Sequence, residues 1–83
     1  MKPSMNSEPW TIARVLNWTR SYFEDLGIES HRLDAELLMA DALHMNRMQL
    51  YLDHHKPLRD EELAAIRERV RRRAQREPIA YIT

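Results

Sequence analysis

The feature that most constrains the fold is an apolar pattern that begins after Thr11 and ends at Gly27, the only glycine of the chain. Apolar residues recur between these positions at spacings of three and four, which is the period of an amphipathic helix. Thr11 can accept a hydrogen bond from the free N–H groups that start such a helix, and Gly27 can take the left-handed conformation that often ends one. We therefore predict a helix between them. Its apolar face is Ile12, Val15, Leu16, Thr19, Tyr22, Phe23 and Leu26.

A second helix is predicted after Ser30, because serine favours the N-cap position. Apolar residues continue at helical spacing through this segment and form a wide stripe, which predicts that this helix is the most buried one. The stripe consists of Leu33, Leu37, Ala40 and Leu43, with Leu38 and Met39 beside it. Since a ligand cavity would use up the limited apolar volume of an 83-residue chain, we also place Tyr22, Phe23, Met39 and Met48 in the core.

Two more helices follow. Asn46 and Gln49 have the spacing of a capping box, which predicts a short third helix. Pro57 disfavours a helical residue before it, so we expect a loop up to that position. The last long helix begins near Arg59 or Asp60; because arginine cannot accept a hydrogen bond, Asp60 is a candidate cap one residue later. The apolar stripe of this helix is Leu63, Ile66, Val70 and Ala74.

These elements predict an all-α protein, a small antiparallel bundle of four to five helices over residues 11–78. Residues 1–10 are polar and interrupted by prolines, and they are expected to form a flexible tail. Residues 79–83 are apolar and strand-like, and they follow Pro78, which ends the last helix. We expect residues 79–83 to begin the connection to an absent further domain. Without that domain they should be poorly ordered or packed against another molecule.

The charge balance and composition argue against several classes of function. The chain has 13 basic and 13 acidic residues, so as a whole it lacks the positive charge of a typical nucleic-acid-binding domain. It contains no cysteine, which excludes disulfides and thiolate metal sites. No apolar run approaches the roughly 20 residues of a membrane span, and the polar N-terminus lacks a signal-peptide core. We therefore expect a soluble, cytoplasmic protein.

The carboxylates and histidines favour structural roles. Asp34 and Glu36 are two residues apart and do not share a helix face, which argues against a catalytic pair. Asp34 is expected to form a partly buried ion pair with Arg32 or with a distant arginine. The four histidines lack the i, i+4 spacing of a shared metal site. The adjacent pair, His54 and His55, is expected to point apart.

An arginine-rich segment near the end of the last helix has three possible roles. Six arginines occur from Arg67 to Arg76. They could be solvated at the negative end of the helix dipole, form a patch for a protein partner, or enter a nucleic-acid groove. Helical periodicity spreads them around the axis and no aromatic residues interleave for base stacking, which counts against nucleic acid. Trp18, off the main stripe of the first helix, is either a residue at the rim of the core or an exposed anchor.

Several short segments, taken in order, carry a resemblance to a known family. They are Thr11-Ile12, Leu26-Gly27-Ile28-Glu29-Ser30, Arg32-Leu33-Asp34-Ala35-Glu36-Leu37-Leu38, Arg47-Met48-Gln49-Leu50-Tyr51, Glu61-Glu62-Leu63, Arg72-Arg73 and Glu77-Pro78-Ile79-Ala80-Tyr81-Ile82. No single segment is decisive, but their order and spacing together are specific. Over about Trp10 to Thr83 the chain resembles the N-terminal domain of bacterial peptide-chain release factor glutamine methyltransferases. Relatives usually carry serine or threonine at the position of Arg59.

The resemblance implies a helical domain that precedes a Rossmann-like catalytic domain. That catalytic domain binds S-adenosylmethionine and methylates the glutamine of the Gly-Gly-Gln motif in class I release factors. Its glycine-rich cofactor loop and its Asn-Pro-Pro-Tyr motif would come after Thr83, and a chain with one glycine cannot contain such a loop. We therefore expect this chain alone to be inactive and to hold no cofactor, whereas the full-length protein uses S-adenosylmethionine.

For this chain the resemblance implies a role in binding the release factor. The expected partners are class I release factors and the protein's own catalytic domain, with no membrane and no direct nucleic-acid contact. Arg69, Arg72 and Arg76 have spacings that would place them in one row on the last helix, and Trp18 is the candidate contact on the first helix. The alternative is a stand-alone nucleic-acid-binding module that uses the Arg67–Arg76 segment. Strong salt dependence of binding would favour that alternative.

Overall fold

Five helices form in residues 9–83, the part of the chain that the structure, a computed structural model, describes. They are α1 (Ile12–Asp25), α2 (His31–Leu43), α3 (Arg47–Leu52), α4 (Asp60–Ala74) and α5 (Ile79–Ile82). The regular elements in this range are all helices, which confirms the predicted all-α bundle of four to five helices. None of these helices is long and apolar enough to cross a membrane.

Helix α1 begins and ends where the sequence predicts. The backbone N–H of Arg14 donates a hydrogen bond to Thr11 Oγ1 at 3.2 Å, which is N-cap geometry. At the other end Gly27 has a φ of 80°, a left-handed conformation that glycine adopts without steric cost. Ile12 and Phe23 are fully buried, so the predicted apolar face packs into the core.

Helix α2 is the most buried helix, but its buried face differs from the predicted stripe. Ala35, Leu38, Met39 and Ala42 follow the i, i+3, i+4, i+7 spacing and are buried. Leu33 is 41% exposed, and the other leucines of the predicted stripe are only half-buried. The predicted register was therefore wrong, because α2 has apolar residues on more than one face and only its neighbours decide which face is covered.

Two predicted caps differ from the structure. Ser30 occupies the N-cap position of α2, but its side chain makes no capping hydrogen bond. At the start of α4 the N-cap residue is Arg59, and Asp60 is the first helical residue rather than the cap. The backbone N–H of Arg59 donates to Glu62 Oε1 at 2.8 Å, and this bond is the main reason why the pKa of Glu62 is lowered. Glu62 thus supplies the half of a capping box that accepts from the N-cap N–H, while the half that an N-cap side chain would supply is missing.

The capping box predicted for α3 is present. Gln49 N–H donates to Asn46 Oδ1 at 2.9 Å, and Asn46 N–H donates to Gln49 Oε1 at 3.1 Å.

The loop after α3 returns the chain to the start of α1, where Ile12 N–H donates to the Lys56 carbonyl at 3.1 Å. This contact places the start of α4, which follows that loop, at the same end of the bundle as the start of α1.

Helix α2 organises the bundle, because α1 and α4 both pack against it. Asp34, which was expected to pair with Arg32 or with a distant arginine, pairs with Arg73. This pair and the one between Asp41 and Arg69 set the two ends of α2 against α4, so these helices run antiparallel. Since α1 and α4 begin at the same end, they run parallel to each other across α2.

The C-terminal residues form a helical turn instead of the predicted strand-like segment. Helix α4 ends at Ala74, Arg76 has a left-handed φ of 70°, and Pro78 is the N-cap of α5. Ile82 belongs to the buried core, which corrects the prediction that residues 79–83 would be poorly ordered or packed on another molecule. A short apolar run fits a helix or a strand equally well by periodicity, so its packing decides the outcome.

The predicted N-terminal tail falls mostly outside the described residues, which begin at residue 9. Trp10, at the end of that tail, is attached to the bundle. Its carbonyl accepts a hydrogen bond from Leu58 N–H at 2.9 Å, and the Arg14 guanidinium lies 3.9 Å from the centre of its ring.

Candidate protein-binding surface

An open groove separates α1 from α4 on the surface of the bundle; we term it the α1–α4 groove. Its two adjoining sections have volumes of about 350 and 430 Å³ and share Trp18, Arg67 and Val70. The floor is formed by the buried residues Val15, Thr19, Ile66 and Val70, and the rim includes Trp10, Trp18, Tyr22 and Arg67. The groove arises because α1 and α4 both pack on α2 and make little contact with each other.

The two tryptophans of the rim are exposed, whereas Tyr22 is partly buried against the core. Trp18 is 53% exposed, so of the two predicted alternatives it is a surface residue and not part of the core. Its ring stacks on Tyr22 with 5.1 Å between ring centres, which holds the tryptophan in one orientation. Trp10 lies at the other end of the groove, so both tryptophans of the chain line it. Tryptophan, tyrosine and arginine are the residue types enriched at the energetic centres of protein interfaces.

Arg67 lines the groove, although the sequence placed it only in the Arg67–Arg76 segment and not among the expected contact residues. It lines both sections, is exposed, and has no hydrogen bond or ion pair among residues 9–83. No acidic residue lines either section in that part of the chain, so the charge of Arg67 is not neutralised there. The sequence contains a usable signal, because Arg67 directly follows Ile66 and lies three residues before Val70. This spacing places it at the border of the apolar stripe of α4.

Thr19 contributes a buried hydroxyl to the floor of the groove. The residue is fully buried, and its Oγ1 atom has no hydrogen-bond partner among the described residues. An unpaired buried hydroxyl costs about 1–3 kcal/mol relative to a paired one. The unpaired hydroxyl of Thr19 therefore lowers the stability of the folded domain.

The three arginines predicted to form a row are engaged within the domain instead. Arg69 Nε donates to Asp41 Oδ2 at 2.9 Å. Arg76 lies beyond the end of α4, so it leaves the helical row, and its guanidinium donates to the Leu26 carbonyl at 2.5 Å. Arg72 is paired with an acid near α5. None of the three lines the groove that contains Trp18, and their role in partner binding stays a prediction.

The partner of Arg72 is Glu77, and this pair ties the end of α4 to α5. Arg72 Nε donates to Glu77 Oε1 at 2.9 Å, and its terminal nitrogen donates both to the second carboxylate oxygen and to the Tyr81 carbonyl. Hydrogen bonding to Arg72 lowers the pKa of Glu77, and the same bond raises the pKa of Arg72. This bidentate ion pair fixes α5 against the end of α4.

Most of the basic segment is neutralised in the same way, which weakens the interpretation as a nucleic-acid-binding module. Charge-driven binding to nucleic acid needs several cations that are free to neutralise phosphates. Five of the six arginines have partners within the domain: Arg69 with Asp41, Arg71 with Glu68, Arg72 with Glu77, Arg73 with Asp34, and Arg76 with the Leu26 carbonyl. The Leu26 carbonyl leaves the charge of Arg76 uncompensated, and in the described part of the chain Arg67 is the arginine of this segment with neither a hydrogen bond nor an ion pair.

A second exposed apolar surface lies on α3. Met48 and Leu52 are 70% and 68% exposed, so the placement of Met48 in the core was wrong. A six-residue helix has room to bury only one face, and here that face is occupied by Leu50. No residue of α3 lines the α1–α4 groove, so the two surfaces are separate.

Beneath this surface, Glu36 links α2 to α3. Burial acts to raise the pKa of Glu36, but hydrogen bonds from Tyr51 and Arg47 outweigh it and leave the pKa lowered. The bond to Glu36 in turn raises the pKa of Tyr51. Glu36 and Asp34 therefore reach different helices, α3 and α4, which agrees with separate structural roles rather than a catalytic pair.

His54 and His55 were expected to point apart, but their rings are close. His54 Nε2 and His55 Nδ1 are 3.3 Å apart in the loop after α3. Across residues 9–83, no group of three or more histidine, cysteine or acidic side chains is arranged to hold a metal ion.

The fold and the groove define a class of protein: a small helical-bundle domain that presents an apolar, cationic trough between two parallel helices. Comparison with protein families then identifies the particular family. The PrmC N-terminal domain matches residues 14–83, and the chain belongs to this family. This match confirms the resemblance that the sequence segments indicated.

Curated relatives carry one name. The chain is 52% identical over 75 residues to the release factor glutamine methyltransferase of Geobacter sulfurreducens. The aligned segment covers 90% of this chain and 26% of that protein. The protein of the same name from Rhodopirellula baltica is 43% identical over 82 residues, covering 99% of this chain and 28% of the relative. The chain thus spans about a quarter of the length of the curated relatives that it matches. No solved structure matches the chain.

Proposed function

We propose that this chain is the release-factor-binding domain of a protein-glutamine methyltransferase. It holds a class I peptide-chain release factor in the cytoplasm while a catalytic domain outside this chain methylates the factor's glutamine with S-adenosylmethionine. The observation that carries the proposal is that residues 14–83 belong to the PrmC N-terminal domain family. Relatives named release factor glutamine methyltransferase, of which this chain spans about a quarter, support it.

The contribution of such a domain is positioning. A domain that grips the protein substrate away from the reacting glutamine makes the second contact intramolecular, which raises the effective concentration of the glutamine at the catalytic domain. The effect falls mainly on the apparent affinity for the release factor, because this grip is the same in the ground state and in the transition state. Cofactor binding is left to the catalytic domain, since the single glycine of this chain rules out a glycine-rich loop.

The predicted contact residues contribute unequally in this proposal. Trp18 is assigned the main role, because it is exposed and held in place by its stack on Tyr22. Arg69, Arg72 and Arg76 are assigned a weaker role, because each already has a partner within the domain. Because Arg69 and Arg72 are ion-paired, the steering of an acidic region of the release factor falls mainly on Arg76, and it raises the rate of encounter more than the final affinity.

The test compares the full-length protein that carries this domain with a variant that lacks residues 1–83. Each enzyme methylates either an intact class I release factor or a short peptide that contains the Gly-Gly-Gln sequence. We expect the deletion to raise KM for the intact factor at least tenfold and to leave kcat/KM for the peptide unchanged, because the peptide reaches only the catalytic domain. The peptide also serves as the control for correct folding. An unchanged KM for the intact factor contradicts the proposal.

A further inference from the structure

We infer that the α1–α4 groove binds an amphipathic helix of the release factor and that Arg67 pairs with a carboxylate on that helix. The inference rests on the proposed function and adds to it the surface that makes the contact and the chemistry of the segment that it accepts.

The shape of the groove suits a helix. α1 and α4 run parallel on α2 and leave an apolar floor of Val15, Ile66 and Val70 between them. Leu63 and Ala74, which line opposite ends, are eleven residues apart on α4, so the trough is about 16 Å long at a rise of about 1.5 Å per residue. This length accepts about three turns of a helix, which would complete a bundle around the floor.

The charge of the groove selects an acidic partner. Arg67 has no ion pair among the described residues, and the residues lining both sections include no acid. The other arginine in the lining, Arg71, is neutralised by Glu68 at 2.6 Å. One carboxylate beside an apolar helix face therefore complements the groove, whereas a nucleic-acid backbone would meet a single free cation. A bidentate arginine–carboxylate pair also fixes the register of the bound helix.

The rim supplies the residue types that anchor such contacts. Trp18 is exposed beside Arg67 and is held by its stack on Tyr22, so little side-chain freedom is lost when a partner covers it. Trp10, at the entrance, is held by the cation–π contact with Arg14. Rigid aromatic anchors around an arginine that loses its water when a partner binds are the composition of an interface hot spot.

The experiment measures the Kd of the full-length protein for an intact class I release factor. Two groove variants, Arg67→Glu and Trp18→Ala, are compared with Arg20→Glu. Arg20 is also on α1, but it does not line the groove and its guanidinium pairs with Asn17. We expect each groove variant to raise Kd at least tenfold and the control to change it less than twofold. Arg67 and Trp18 are exposed, so the thermal midpoint of each variant should stay within a few degrees of the parent value.

A charge-swap series identifies the partner residue. Acidic residues on helices of the release factor are changed one at a time to lysine and titrated with the Arg67→Glu variant. We expect one of these lysine substitutions to lower the Kd for the Arg67→Glu variant at least tenfold. The same substitution should raise the Kd for the parent protein.

The outcomes separate this inference from the proposed function. If deletion of residues 1–83 weakens binding but Arg67→Glu and Trp18→Ala do not, the groove is not the contact and the proposed function stands. The inference also fails if the two groove variants lower the thermal midpoint of the full-length protein without changing Kd, since its own catalytic domain would then cover the groove. If the groove variants instead abolish a dimer, a second copy of the chain is the occupant and the inference is overturned. If the deletion itself leaves Kd unchanged, the proposed function fails as well.

Discussion

Arg73 and Asp34 are 39 residues apart in the chain, and Arg73 Nε lies 2.8 Å from a carboxylate oxygen of Asp34. Asp34 is only 3% exposed, so this contact sits inside the bundle. The same guanidinium donates to the Glu77 carbonyl at 3.1 Å. One arginine therefore connects the start of α2, the end of α4 and the segment that leads into α5, and it fixes the antiparallel arrangement of the two helices.

Removal of Arg73 should destabilise the domain strongly. Arg73→Ala leaves the buried carboxylate of Asp34 without its cation, and we expect the free energy of unfolding to fall by roughly 3–5 kcal/mol. Urea denaturation followed by circular dichroism measures the change. Arg71→Ala is the matched control, because Arg71 pairs with Glu68 on an exposed helix face and its loss should leave the urea midpoint nearly unchanged. Similar midpoints for both variants would contradict this role of Arg73.

Thr19 in α1 and Thr11 at its N-cap should respond in opposite directions to the same substitution. Thr19→Val replaces a buried, unpaired hydroxyl by a methyl group of the same shape, and we expect it to raise the free energy of unfolding by about 1 kcal/mol. Thr11→Val removes the capping acceptor for Arg14 N–H and should lower it by about 1 kcal/mol. Chemical denaturation of both variants gives the comparison. A loss of stability in Thr19→Val would show that the hydroxyl has a partner after all.

The buried face of α2 is tested by adjacent leucines. Leu38 is fully buried and Leu37 only partly so, although the sequence pattern had placed Leu37 in the middle of the apolar stripe. We expect Leu38→Ala to cost roughly 2–5 kcal/mol, because it empties a closed site. Leu37→Ala should cost clearly less. If thermal unfolding ranks the two variants the other way round, the register of α2 described above is wrong.

The stability should fall in acid because of Glu36. Its pKa in the folded protein lies below the ordinary value of 4.5, so below about pH 5 the unfolded chain takes up a proton more readily than the folded one. The contribution of Glu36 is complete above its unfolded pKa and is lost as the pH falls through the folded value. We expect Glu36→Gln to be less stable at pH 7 and to lose less stability between pH 7 and pH 3. Thermal midpoints over this range provide the measurement.

Tyr51→Phe is the intermediate variant for that experiment. It removes one of the hydrogen bonds that lower the pKa of Glu36 and keeps the carboxylate itself. Its pH dependence should therefore lie between those of the parent and of Glu36→Gln. Because Glu62 and Glu77 also have lowered pKa values, some loss of stability in acid remains in every variant. Parallel curves for the parent and Glu36→Gln would rule out the assigned role of Glu36.

Local rules predicted the features that depend on a few neighbouring residues. The cap at Thr11, the left-handed Gly27 and the capping box of Asn46 and Gln49 were all confirmed. Each is decided within about four residues, where hydrogen-bond geometry leaves few alternatives. The prediction that residues 79–83 are strand-like was wrong, although it also depended on only a few neighbouring residues. Pro78 suits the position before a helix as well as the position after one.

The sequence by itself determined the helical class, the main helix boundaries and the family, because periodicity, caps and the order of short segments are properties of the chain alone. Only the tertiary structure decided which face of α2 is buried, that Arg73 is the partner of Asp34, and that Arg67 rather than Arg69, Arg72 or Arg76 remains free beside Trp18. The physical reason is that charge neutralisation and burial depend on what each side chain meets across the bundle. Such contacts, between residues as far apart as Asp34 and Arg73, are not encoded in local spacing.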